Sequence, residues 1–159
     1  MSVQTVKKYL QPFGKDADVQ EFDCSSATVE LAAAALSVEP ARIAKTLSFE
    51  DGAGSCLLIV AAGDARIDNG KFKAAFGRKA KMLAPDEVLR LTGHPVGGVC
   101  PFALPEAVKV FLDQSLRRFS LVYPACGSAN SAIGLTCGEL ETLSRALGWV
   151  DVCKLPVSG

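Results

Sequence analysis

The sequence predicts one α+β domain, residues 1–159, built on a curved, mostly antiparallel sheet with short helices around it. Three observations carry this expectation. Strand-length and helix-length segments mix without the regular βαβ alternation of a doubly wound sheet. Residues 45–62 read as a hairpin: an alternating stretch, a glycine-containing turn and a buried apolar strand. No internal repeat, low-complexity tract or linker interrupts the chain, and 159 residues bury a proper core in one unit without disulfide staples.

Taken in order, Val3, Val6 and Leu10 stand at helical spacing and predict an opening helix that Pro12 ends. An extended piece follows over 19–22. Ser25 and Ser26 are N-cap candidates for a helix whose apolar stripe is Val29, Ala32, Ala33 and Leu36. Pro40 opens a short helix running to about Ala44. The hairpin comes next, with its turn at residues 51–54. A short helix over 71–76 is closed by Gly77, a strand is expected over 79–83, and a second short helix over 85–91. Residues 107–112 and 119–123 read as strands separated by 113–118. Thr136 with Glu139 forms a capping-box pattern for a helix that faces Leu140, Leu143 and Leu147 to the core and ends at Gly148. Residues 149–153 make a final strand.

Hydrophobic residues are 49% and charged residues 21%, a globular composition that excludes a disordered chain. No apolar run reaches membrane-spanning length, and residues 1–8 lack the apolar segment of a signal peptide, so no membrane partner and a cytoplasmic location are expected. The six cysteines contain no C-x-x-C pair and read as reduced thiols, most of them in the core. Seventeen basic and seventeen acidic residues cancel, which implies modest unaided affinity for nucleic acid. The average hides one local excess. Between Arg66 and Lys81 there are six basic residues against the single acid Asp68. That stretch is either a solvated helix face or a phosphate-contacting patch, with Lys71, Lys73 and Arg78 as its candidate contacts.

Several kinds of chemistry have no sequence support. His94 is the only histidine and precedes Pro95, a setting for a turn residue more than for a metal ligand or catalyst. There is no G-x-S-x-G elbow, no Walker A loop and no G-x-G-x-x-G fingerprint. Two features remain. Lys45 stands where a helix gives way to a strand; it is either a plain exposed charge or a cation projected into a cleft at the sheet end. Residues 93–102 hold three glycines and two prolines in ten positions. Such a loop is either a structural turn or a set of backbone N–H donors held close to a ligand.

The segments Ala44-Lys45-Thr46-Leu47, Gly93 to Phe102 and Leu112-Asp113-Gln114-Ser115-Leu116 together resemble the YbaK/ProX family of aminoacyl-tRNA deacylases, over about residues 19–147. The resemblance implies a barrel-like mixed sheet and hydrolysis of the ester joining a small wrong amino acid, such as alanine or cysteine, to the terminal adenosine of proline tRNA. The same domain occurs inserted in bacterial prolyl-tRNA synthetases; the length of this chain implies a free-standing version acting in trans, without metal or cofactor. Carried over by position, Lys45 anchors the aminoacyl-adenosine end, and Gly97 and Gly98 orient and polarise the ester carbonyl. Cys100 and Pro101 belong to the same loop. Gly127 and Ser128 fall where the family lines its pocket, and Thr28 and Thr46 are further pocket residues. The tRNA acceptor end is the implied partner, and the neutral charge balance adds a synthetase as a second. A non-catalytic module of the same fold, binding a tRNA end or a protein, is the alternative that the intact Lys45 and Gly97-to-Pro101 element argue against.

Overall fold

The computed structural model describes residues 2–156. Its frame is a central apolar strand that nothing polar could replace. Strand β3 (Cys56–Ala62) is buried at every residue, which explains why it reads as a continuous apolar run and not as an alternation. It pairs antiparallel with β2 (Ile43–Glu50), from Ala44↔Ala62 to Glu50↔Cys56, and parallel with β5 (Lys109–Asp113). Two short parallel partners complete a five-stranded sheet: β6 (Tyr123–Pro124) beside β2, and β8 (Gly148–Val150) beside β5. The order β6-β2-β3-β5-β8 has two ends, so the sheet is open and not closed into a barrel. Two antiparallel ribbons flank it: β1 (Gln20–Glu21) with β7 (Ser131–Ala132), and β4 (Arg66–Ile67) with β9 (Cys153–Lys154). The sheet is therefore mixed. Antiparallel pairing accounts for the hairpin and both ribbons, and three parallel pairings frame the hairpin within the main sheet.

Among the described residues, five α-helices surround it. They are α1 (Ser2–Leu10), α2 (Val29–Leu36), α3 (Asn69–Phe76), α4 (Pro85–Thr92) and α5 (Cys137–Ser144). None is long and apolar enough to cross a membrane. Helix α3 covers the sheet face that carries Phe49 and Phe111, through a chain of ring contacts from Phe49 to Phe72, Phe76 and Phe111 at 4.8–5.0 Å. Val6 and Leu10 of α1 and Leu140 and Leu143 of α5 join the same core, and the Tyr9 hydroxyl donates to Leu143 O at 2.6 Å. Helix α2 forms a smaller cluster, packing Ala32 and Ala33 on Ile43 at the β6 side of the sheet.

Local capping explains most helix ends. The Thr136–Glu139 capping box is fully formed. Helix α2 is capped by Thr28, which accepts from Leu31 N, and not by Ser25 or Ser26, whose hydroxyls engage Ala27 N and Ala129 O. Helix α5 stops at Arg145 in a left-handed conformation, three residues before Gly148. Leu147 is consequently exposed, and its N–H donates to Val110 O, leading the chain into β8. The strand expected over 79–83 reduces to one bridge, Met82 with Phe49. The final strand is split into β8 and β9 around Val152. The residue that makes the split is Asp113. Its buried carboxylate accepts from Ser115 N and from Val152 N, each at 2.9 Å.

All six cysteines are free thiols. Cys56, Cys100, Cys126 and Cys153 are buried, Cys137 is half-buried and Cys24 is exposed, so the expected core role holds for four.

Asp113→Ala leaves two buried N–H groups without an acceptor. The expected loss is roughly 2–4 kcal/mol, read as a lower midpoint in urea denaturation with an unchanged m-value.

Candidate functional site

Along its outer edge β2 is paired twice, by different segments, with a gap between. Ile43 and Ala44 meet β6. Further along, Glu50 N donates to Lys81 O and Leu83 N donates to Ser48 O. Backbone groups of Ser48 and Glu50 thus point away from β3, and strand alternation turns those of Thr46 the same way. No protein group among the described residues occupies the space opposite Thr46, and a cleft of about 380 Å3 opens there. Its walls come from α2 and the residues before it (Ala27, Thr28, Val29), from the 82–88 segment (Met82, Pro85, Val88), from the glycine loop (Val96, Gly97, Val99) and from Tyr123 and Ser131. The lining is mainly apolar. Thr46 Oγ1 is a buried hydroxyl without a hydrogen-bond partner, placed in this lining.

Lys45 supplies the charge. Its ammonium donates to Gly63 O at 3.2 Å and to Ala65 O at shorter range, which leaves one of three N–H groups for a ligand. Burial lowers its pKa, and the Asp64 carboxylate partly offsets that. The two carbonyls belong to the turn between β3 and β4, which is held from behind. Ser115 Oγ accepts from Ala62 N at 3.1 Å, and Arg118 grips Asp64 with two bonds of 2.6 and 3.1 Å. Gly63 has no room for a side chain, since a Cβ there would lie 2.0 Å from Pro40 O. The Leu-Asp-Gln-Ser segment that entered the resemblance therefore acts at a distance: Asp113 orders the 3₁₀ turn Gln114–Arg118, and that turn pins the carbonyls that hold Lys45.

The glycine loop closes the opposite wall. Gly97 is left-handed (φ +91°), and a Cβ there would stand 3.2 Å from the Ala27 Cβ. Gly98 sits flat on Ser128, with a Cβ blocked by backbone atoms at 2.7 Å. The Gly98 N–H donates to Pro95 O and is not free for a ligand. The Gly97 and Val99 N–H groups have no partner among the described residues, and both residues line the cleft. His94 is buried beneath the loop, with Nε2 2.8 Å from Phe102 O. A carbonyl only accepts, so Nε2 carries the proton and the imidazole staples the loop across eight residues. Burial lowers its pKa.

The structure thus brings Lys45, Thr46, Thr28 and Gly97 to one cleft and places Gly98 directly behind it. The other candidates stand elsewhere. Cys100 is buried 3.6 Å from His94 Nε2, its thiol pushed up to about 12 by burial. Pro101 borders a separate cavity beside Tyr9 and Arg145. Gly127 is buried, and the Ser128 hydroxyl is bound to Asn130 Oδ1 and the Ser131 hydroxyl. Lys71 is tied to Asp151 and Cys153 O. The Arg78 guanidinium lies over Gly52 of the hairpin turn, and only Lys73 stands as a free exposed cation of the three. Tyr123 and Ser131 are lining residues that carry no sequence signal, because pairing between distant segments delivers them.

The geometry is a mixed α+β sheet whose cleft is lined by Lys45 and by a glycine loop. The model of the aminoacyl-tRNA editing domain matches residues 25–143, and the chain belongs to that family, the YbaK/ProX family. It is 53% identical over 154 residues to the uncharacterized protein YwhH of Bacillus subtilis (strain 168), covering 97% of this chain and 98% of YwhH. It is 36% identical over 91 residues to proline–tRNA ligase of Lysinibacillus sphaericus (strain C3-41), 57% of this chain but 16% of that enzyme. Among solved structures, one described as a candidate trans-editing enzyme for prolyl tRNA synthetase superposes with a TM-score of 0.85 at 30% identity, over 96% of this chain and 97% of that one. Membership implies an aminoacyl-tRNA substrate.

Two outcomes follow from the loop. Gly98→Ala must push Ser128 away, and a loss of roughly 1–3 kcal/mol is expected by denaturant titration. Between the unfolded histidine pKa of about 6.5 and the lower folded value of His94, the unfolded chain binds a proton that the folded chain does not. Stability therefore falls as pH drops below about 6.5. Tm measured from pH 7.5 to 5.5 should show this slope, and His94→Gln, which keeps an N–H donor but does not titrate, should flatten it.

Proposed function

We propose that this protein hydrolyses the ester of a mischarged tRNA in trans, with proline tRNA bearing a small wrong amino acid as the substrate. The observation that carries the reading is the Lys45 ammonium, anchored by two carbonyls at the head of an apolar cleft in a chain of the editing-domain family. Action in trans is supported by a match that spans nearly all of YwhH and of the candidate trans-editing enzyme, against 16% of the ligase.

The chemistry asks little of side chains. An aminoacyl ester is already activated, and the neighbouring ribose hydroxyl can position or activate water. In this reading Lys45 holds the adenosine end and the Gly97 and Val99 N–H groups, unpartnered among the described residues, polarise the ester carbonyl. The Thr46 hydroxyl offers an unpartnered polar contact in a mainly apolar lining. Gly98 supports the loop from behind. A cysteinyl substrate could bring its own thiol as nucleophile. No step in this scheme calls on a metal.

The test is release of labelled amino acid from proline tRNA charged with alanine, cysteine, serine or threonine, with EDTA present. Wild type is expected to deacylate at least one, and Lys45→Ala to lose on the order of 10²–10³-fold in kcat/KM, the scale of removing one electrostatic stabiliser. Activity retained in Lys45→Ala removes Lys45 from the site. No release alongside measurable tRNA binding overturns the hydrolase in favour of a recognition module.

A further inference from the structure

The ribbon β4–β9 contains an arrangement that works against its own stability. Arg66 and Lys154 are direct cross-strand partners, so their side chains leave the same face side by side. Both are exposed, whereas the next pair, Ile67 and Cys153, turns inward. Like charges directly opposite one another destabilise a ladder. Neither cation forms an ion pair among the described residues, and the nearby acids are already committed. Asp64 is held by Arg118 and Asp151 by Lys71; Asp68, the N-cap of α3, accepts from Lys71 N and lies within electrostatic reach of Lys154 without a direct bond to it. What remains is a pair of cations without a directly bonded counter-charge.

Its position is informative. Ala65, whose carbonyl holds the Lys45 ammonium, immediately precedes Arg66. Positive charge therefore continues from the head of the cleft onto the ribbon surface. An aminoacyl ester seated by Lys45 carries an adenosine, and the phosphodiester of that adenosine must leave the cleft past the residues flanking Lys45.

We infer that the Arg66–Lys154 pair is the seat of a backbone phosphate in the single-stranded acceptor end of the RNA substrate. This rests on the functional reading above for the identity of the RNA. It moves the phosphate contact from Lys71, which is tied to Asp151 and Cys153 O, to a like-charged pair that an anion would relieve.

The experiment compares wild type with Arg66→Gln, Lys154→Gln and the double variant. Binding of uncharged proline tRNA is titrated from 50 to 200 mM salt, and hydrolysis is followed on aminoacyl-tRNA and on aminoacyl-adenosine, which lacks the phosphate. The double variant is expected to bind tRNA about tenfold more weakly at low salt, with a log–log salt slope shallower by about 0.7 for each phosphate it no longer neutralises. Its loss in kcat/KM is confined to the phosphate-bearing substrate, and its Tm is equal to or above that of wild type. An unchanged slope, or equal losses on both substrates, overturns the inference. If wild type hydrolyses neither substrate, the functional reading fails, and the slope difference in tRNA binding still decides whether the seat exists.

Discussion

The site depends on the capture of one ammonium by two carbonyls. Lysine side chains carry substantial rotamer entropy and a strong preference for water, so a half-buried lysine at a fixed place needs partners that do not move. Gly63 and Ala65 provide them, and the protein invests several separate contacts in keeping that turn still: Ser115 on Ala62, Arg118 on Asp64, and Pro40 packed where a side chain on Gly63 would be. Each comes from a different part of the chain. The lysine is local to β2, but its geometry is a property of the whole fold.

The opposite wall uses another strategy. Instead of a charged group held by hydrogen bonds, it relies on backbone pressed against backbone, possible only because Gly97 and Gly98 lack side chains. His94 sits beneath as a staple, its Nε2 bonded to Phe102 O and its pKa lowered by burial. The unpartnered Gly97 and Val99 N–H groups in this wall are backbone groups, and such groups leave almost no trace in composition.

How much of this is legible in the sequence follows from how far each determinant reaches. The capping box at Thr136 needs residues three apart, and the hairpin needs one turn; both can be read directly. The end of α5 cannot, because what stops the helix early is a bond from Leu147 to Val110, a partner more than thirty residues away. Ser25 and Ser26 look like caps and are drawn instead to Ala129. Residues 79–83 have strand character, yet their pairing with β2 amounts to a single bridge, Met82 with Phe49, closed by bonds at Lys81 and Leu83. Lys45 and the glycine loop stand out through the family resemblance, whereas Tyr123, Ser131 and the supporting Arg118–Asp64 pair become visible only with the chain folded. The local basic excess at 66–81 is real as composition, but folding neutralises part of it and pairs Arg66 with a lysine from the far end of the described chain.

The interrupted outer edge of β2 also bears on how the protein survives at high concentration. An exposed strand edge is a template for joining other chains, and proteins commonly blunt it with charge or proline. Here the edge is covered on either side of Thr46, and the opening spans about one peptide unit. That is too short for a foreign strand to gain a register. The same interruption that creates the cleft therefore guards the molecule against stacking with its own copies.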